Sequence, residues 1–129
     1  LVTVVLRLPS PRLSPNSRGH WTIRAREVRK YRQLAAWTAT AERPSGWVAL
    51  REATILSRFW FRDRRRRDRD NLLASMKSAY DGLVDAGILE DDSGVIHLPI
   101  EVGYDRARPR VEIVVSPVSP RRVGEADRA

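Results

Sequence analysis

From Ala53 to Arg62 the chain alternates without a break. Ala53, Ile55, Ser57, Phe59 and Phe61 share one side, and Thr54, Leu56, Arg58, Trp60 and Arg62 the other. A period of two over so many residues is the signature of a half-buried strand, so the segment 47–62 is read as one long strand that needs sheet partners. Three candidates follow the same pattern. Residues 2–9 place Val4, Leu6 and Leu8 opposite Thr3, Val5 and Arg7 and end at Pro9 and Pro11. Residues 95–103 and 110–116 give two more strands, with Val111, Ile113 and Val115 facing the core and Asp105 to Pro109 as a hairpin connection. Two stretches switch to helical spacing. In 24–42, Val28, Tyr31, Leu34 and Ala35 recur at three and four residues, with Arg26, Arg29, Lys30 and Gln33 opposite, and Pro44-Ser45-Gly46 stops the helix. From Asn71 to Ala86, Leu72, Met76, Ala79, Tyr80 and Leu83 form an apolar stripe, and Gly87 is placed as the left-handed residue that ends it. The order β-α-β-α-β-β predicts a single small α+β domain over residues 1–116, with one mixed β-sheet and two main helices on one face. Pro, Arg, Gly and Asp dominate 117–129, which is read as a flexible tail.

Composition narrows the chemistry. The 129 residues contain no cysteine and only two histidines, His20 and His97. Disulfides, zinc ribbons, thiol catalysis and iron–sulfur clusters are excluded, and any metal should be hard and held by carboxylate oxygen. No run is long and apolar enough to span a bilayer. The start, Leu1 to Leu6, is broken by Arg7 with no cleavage site after it, so a cytoplasmic protein is expected. Lys plus Arg total 24 against 16 acidic residues, for a net charge of +8. That balance points to a polyanionic partner, nucleic acid before an anionic membrane, although GC-rich coding also favours arginine over lysine.

The acidic residues are grouped. Asp68 and Asp70 flank Arg69; if the segment is still extended there, both carboxylates point to one side. Two carboxylates that close favour a cation between them, and Mg²⁺ suits one or two carboxylates with water and phosphate completing its shell, Mn²⁺ being an acceptable substitute. Asp91 and Asp92 follow the helix in an acidic turn, where a returning strand can bring them near its start. Lys77 lies seven residues after Asp70, close to two turns, so its ammonium reaches back toward the carboxylates and can stabilise charge on a phosphate. Each has a plainer alternative. Asp70 is a natural helix cap, Asp68 can pair with nearby arginines, Asp91-Asp92-Ser93-Gly94 is an ordinary turn, and Lys77 can pair with Asp81 at i,i+4.

Arg58, Arg62, Arg64, Arg65, Arg66, Arg67 and Arg69 precede or interrupt this group. A run so dense repels itself unless counter-charge is near, and duplex phosphates supply it. The loop before the first helix adds Asn16, Arg18 and His20 as further phosphate contacts, with Trp21 able to stack on a base or to anchor the core. Trp60 shares its strand face with Arg58 and Arg62, a position suited to packing against a partner subunit.

Taken together, Asp63 to Leu72, Lys77, Asp81-Gly82-Leu83, Gly87 and Asp91-Asp92 resemble the RusA family of Holliday junction resolvases. The similarity is strong over residues 62–95 and extends to the Leu8-Pro9 and Pro15-Asn16 loop. It implies a homodimeric, Mg²⁺-dependent endonuclease that resolves four-way DNA junctions by paired symmetric nicks in recombination and repair. By position it implies Asp68, Asp70 and Asp92 as metal-binding carboxylates, with Asp91 beside them, and Lys77 as the family's essential lysine. Arg69 stands where an apolar residue is often found between the two aspartates. The competing expectation is a non-catalytic, basic nucleic-acid-binding protein whose aspartates only cap helices.

Overall fold

The computed structural model describes residues 1–15 and 17–118. The expected elements are present. They are β1 (Val2–Leu6), a 3-10 turn (Pro11–Leu13), α1 (Trp21–Glu42), β2 (Ala53–Phe61), α2 (Arg69–Ala74), α3 (Lys77–Asp85), β3 (Val95–His97), β4 (Glu101–Tyr104) and β5 (Arg110–Pro117). β5 lies between β1 and β2 and is antiparallel to both. β3 and β4 both run parallel to β2 on its far side. The result is a mixed five-stranded sheet in an α+β domain.

Register aligns the apolar sides of the strands. Val4 pairs with Ile113, and Ile113 with Ser57, so one layer crosses three strands. Val4, Ile55, Phe59, Ile113 and Val115 are buried together with Tyr31, Met76, Ala79 and Leu83 from the helices. Ser57 is the polar member of this face. Its hydroxyl meets the Tyr80 hydroxyl at 2.7 Å, which satisfies both groups away from water.

α1 and α3 cross closely because Gly82 has no side chain. A Cβ there would stand 2.5 Å from the Arg32 carbonyl oxygen on α1. Beside this crossing, Arg32 donates two hydrogen bonds to Asp85, at 2.7 and 2.9 Å. The Arg32 guanidinium holds the Asp85 carboxyl below its usual range. The pair is exposed, so it orients the crossing more than it stabilises it.

Several boundaries differ from expectation. α1 begins at Trp21, capped by His20, whose Nδ1 accepts from the Thr22 amide. β2 begins at Ala53; before it, Leu50 makes only an isolated bridge to Leu89. The strand expected over 95–103 is split into β3 and β4 around Pro99, which has no amide hydrogen to give the ladder. The helix expected over 71–86 is two. Ser75 turns its hydroxyl onto the Leu72 carbonyl at 2.8 Å, and the Met76 amide bonds back three residues to Leu73, which tightens the turn and redirects the axis. Pro117, where the tail was expected to begin, is the last residue of β5 and pairs with Ala53. Residues 119–129 of that tail lie outside the described residues.

Candidate active site

Phe61 ends β2, and the chain then runs through the arginine block into α2. Asp68 is the N-cap of α2: its Oδ1 accepts from the Asp70 amide at 2.9 Å and from Asn71 at 3.2 Å. The expected extended Asp68-x-Asp70 geometry is therefore replaced by a helix start. The cap is Asp68, not Asp70, and Asp70 sits in the first turn, where the helix dipole favours a carboxylate.

Lys77 opens α3 after the break at Ser75. It pairs loosely with Asp81 at 3.8 Å with its side chain 74% exposed, so the contact holds it weakly. At the other end, Gly87 takes φ of 73°. The Ile88 amide bonds to Leu83 and the Gly87 amide to Val84, a Schellman reversal with Ile88 buried. This turns the chain back toward the start of α3. Asp91 there is engaged by the Ser93 amide, which holds its carboxyl below the usual range, helped by the Ser93 hydroxyl. Asp92 instead lines a cleft of about 280 Å³ together with Leu73, Lys77, Tyr80, Asp81 and His97.

His97 reaches this cleft because β3 pairs it with Ile55, on the helix-covered side of the sheet. Its ring lies 4.8 Å from the Tyr80 ring, and burial pushes its pKa down. Burial also pushes the Tyr80 hydroxyl up to about 12. Neither Asp81 nor His97 was among the expected site residues. Asp81 carried a signal, its i,i+4 spacing from Lys77; His97 carried none until the β3 register was known.

The other expected residues fall nearby but apart. Asp68 lines a separate cleft of about 550 Å³ with Arg65, Arg67, Asn71, Phe61 and the Leu8–Pro11 loop. Arg67 is a wall of that cleft: its guanidinium lies 3.7 Å from the Phe61 ring centre and donates to the Asp63 carboxylate at 2.9 Å. Arg64 stacks on Tyr104, and Arg69 donates to the Ile100 carbonyl at 2.7 Å. Arg65 and Arg66 are exposed. Their guanidinium groups make no hydrogen bond or ion pair among the described residues, which leaves them available to an anion. Arg18 and His20 line a small cleft with Arg12 and Arg24, and the His20 ring stacks on Trp21. Asn16 lies outside the described residues.

Thus Lys77 and Asp92 share a cleft, Asp70 stands one turn before Leu73 on the helix that leads into it, and Asp68 faces the neighbouring one. Among the described residues no group of three or more His, Asp or Glu side chains is gathered to hold a metal ion. The donors nevertheless suit a hard cation. Asp81 and Asp92 offer carboxylate oxygen on one cleft, and Mg²⁺ takes one or two carboxylates with water and substrate phosphate rather than an all-protein cage.

A family model described as Endodeoxyribonuclease RusA matches residues 7–116. The chain belongs to the RusA family. The match carries the likeness seen over 62–95 across every strand and helix from the end of β1 onward. An uncharacterized protein of Xylella fastidiosa (strain Temecula1 / ATCC 700964) is 34% identical over 119 residues, spanning 88% of this chain and 74% of the relative. Membership makes this chain an endodeoxyribonuclease by family, and the RusA family is one of Holliday junction resolvases, which act on branched DNA. Among the described residues no helix is long and apolar enough to cross a membrane.

Proposed function

We propose that this RusA-family chain cuts four-way DNA junctions by paired symmetric nicks, as a homodimer that uses Mg²⁺. The observation that carries this reading is the shared cleft of Lys77 and Asp92 at the start of α3. Asp92 and Asp81 would hold the cation on this cleft, and Asp70, one turn before it, would act through the cation's water shell. When bound, the cation supplies an activated water and neutralises charge on the phosphodiester. Lys77, exposed and only loosely paired, binds a phosphate oxygen and steadies the charge that grows on it. Arg65 and Arg66 hold the flanking backbone. Two copies would provide one site for each of the two strands to be cut.

The test compares Asp92→Asn and Asp70→Asn with the parent on a synthetic four-way junction. Nicking in Mg²⁺ should fall by about 100-fold or more in each, while junction binding is retained or strengthened because repulsion of phosphate is reduced. Undiminished nicking by Asp92→Asn would overturn the assignment.

A further inference from the structure

The cleft of Lys77 and Asp92 does not end at α3. Lys77 and Asp81 also line a groove of about 190 Å³ between α1 and α3, with Ser78 on its wall. That groove shares Arg24 in turn with the cleft of about 100 Å³ that holds Arg12, Arg18 and His20. Three hollows thus follow one another from the candidate active site to the start of α1.

The last of them suits an anion. Arg12, Arg18 and Arg24 converge on it, and no carboxylate lines it. Cations so gathered repel one another until a counter-charge enters. The Arg24 guanidinium is held in place by donating to the Ser14 carbonyl at 2.9 Å. Arg12 and Arg18 are exposed and form no ion pair among the described residues. His20 accepts the Thr22 amide on Nδ1 at 3.3 Å, which leaves Nε2–H to donate. Planar guanidinium forks match phosphate oxygens, and a hollow this small suits a single phosphate group.

The groove between carries an independent sign. Ser78 is 5% exposed, and its hydroxyl has no hydrogen-bond partner among the described residues. Buried hydroxyls are nearly always satisfied. This one stands beside Lys77 in a groove that an oxygen-rich ligand can enter.

We propose that the groove and the arginine cleft form a second phosphate subsite, which takes the cut DNA strand as it leaves the active cleft. Ser78 donates to the backbone next to Lys77, and Arg12, Arg18, Arg24 and His20 clamp a later phosphate of the same strand. The inference rests on the proposed function for the identity of that strand. It gives the strand a path across the start of α1, separate from the cleft of Arg65 and Asp68.

Four-way junctions carrying a single methylphosphonate, which removes one backbone charge, map the path. Binding is read by fluorescence anisotropy with divalent metal chelated. For the parent, neutralising one phosphate of the cut strand, to one side of the cut, should weaken binding. Arg12→Ala with Arg18→Ala should bind about tenfold more weakly, and neutralising that same phosphate should then cost nothing further. In Arg65→Ala with Arg66→Ala it should still cost. Ser78→Ala should bind about threefold more weakly with no loss of melting temperature, because the hydroxyl it removes has no partner in the free protein. An Arg12 and Arg18 variant that binds like the parent, or whose loss adds to that of every methylphosphonate, overturns the proposal. Unchanged affinity in Ser78→Ala removes the groove from the path and overturns it as well. Each of these results leaves the active-site assignment standing, since that fails only if Asp92→Asn still nicks.

Discussion

The carboxylate of Asp68 accepts the amide hydrogen of Asp70 at 2.9 Å. The first aspartate of the Asp-x-Asp pair thereby fixes the helical turn that carries the second. One oxygen is committed to the backbone, while Asp68 Oδ2 makes no hydrogen bond among the described residues. A structural and a ligating role are compatible in one side chain, and they separate by mutation.

Asp68→Ala should lower stability by about 1 kcal/mol through loss of the cap, whereas Asp68→Asn should keep the cap and stability. If Asp68 also serves the cation, Asp68→Asn should still lose nicking. Urea unfolding and junction cleavage on the same two variants check both halves. Equal destabilisation by Ala and Asn would disprove the capping role.

Within the arginine block the side chains should not behave alike. Arg65→Ala combined with Arg66→Ala should weaken junction binding and reduce the salt dependence of the affinity by about one counterion per lost phosphate contact. Arg67→Ala should mainly lower the melting temperature, because Arg67 is stacked on Phe61 and bonded to Asp63. Affinity measured across a salt series, with thermal melts, distinguishes them. An unchanged slope in the double variant would show that neither arginine meets phosphate.

Gly82→Ala tests the helix crossing. The added Cβ meets the Arg32 carbonyl, a backbone atom that moves only with α1. A loss of about 1–3 kcal/mol is expected, typical of overpacking, and chemical denaturation would reveal it. A neutral outcome would mean that α1 and α3 shift apart without cost.

Tyr80 sets an alkaline limit. Its hydroxyl titrates at about 12 when folded, mainly because burial disfavours the charged form, against 10.0 for an unhindered tyrosine. The folded chain therefore keeps a proton that the unfolded chain releases. Stability should be full below pH 10.0 and should decline as pH rises toward about 12, by on the order of 2 kcal/mol. Tyr80→Phe should show a shallower decline, followed by unfolding free energy against pH. Identical slopes would place the alkaline sensitivity elsewhere, with Tyr31 the next buried phenol.

Much of this was legible in residue order because local periods reflect local burial. The alternation through Ala53 to Phe61 and the placement of Gly87 both follow from one element's own geometry. The failures lie where a side chain competes with the backbone. Asp68 draws two amides into a helix before the period of two has ended, and Ser75 breaks a helix whose apolar stripe continues through the break. Pro99 is visible in the sequence, but its effect depends on β2 being the neighbour. The meeting of Lys77, Asp92 and His97 depends on a Schellman reversal and on the β3 register, which are properties of the assembled sheet.

The split between β3 and β4 has a further consequence. Beyond β2 the sheet ends in strands of three and four residues, offset at Pro99. A rim so short and interrupted gives an incoming chain no long ladder of free amides to copy. The outer margin is thereby poorly suited to edge-to-edge polymerisation.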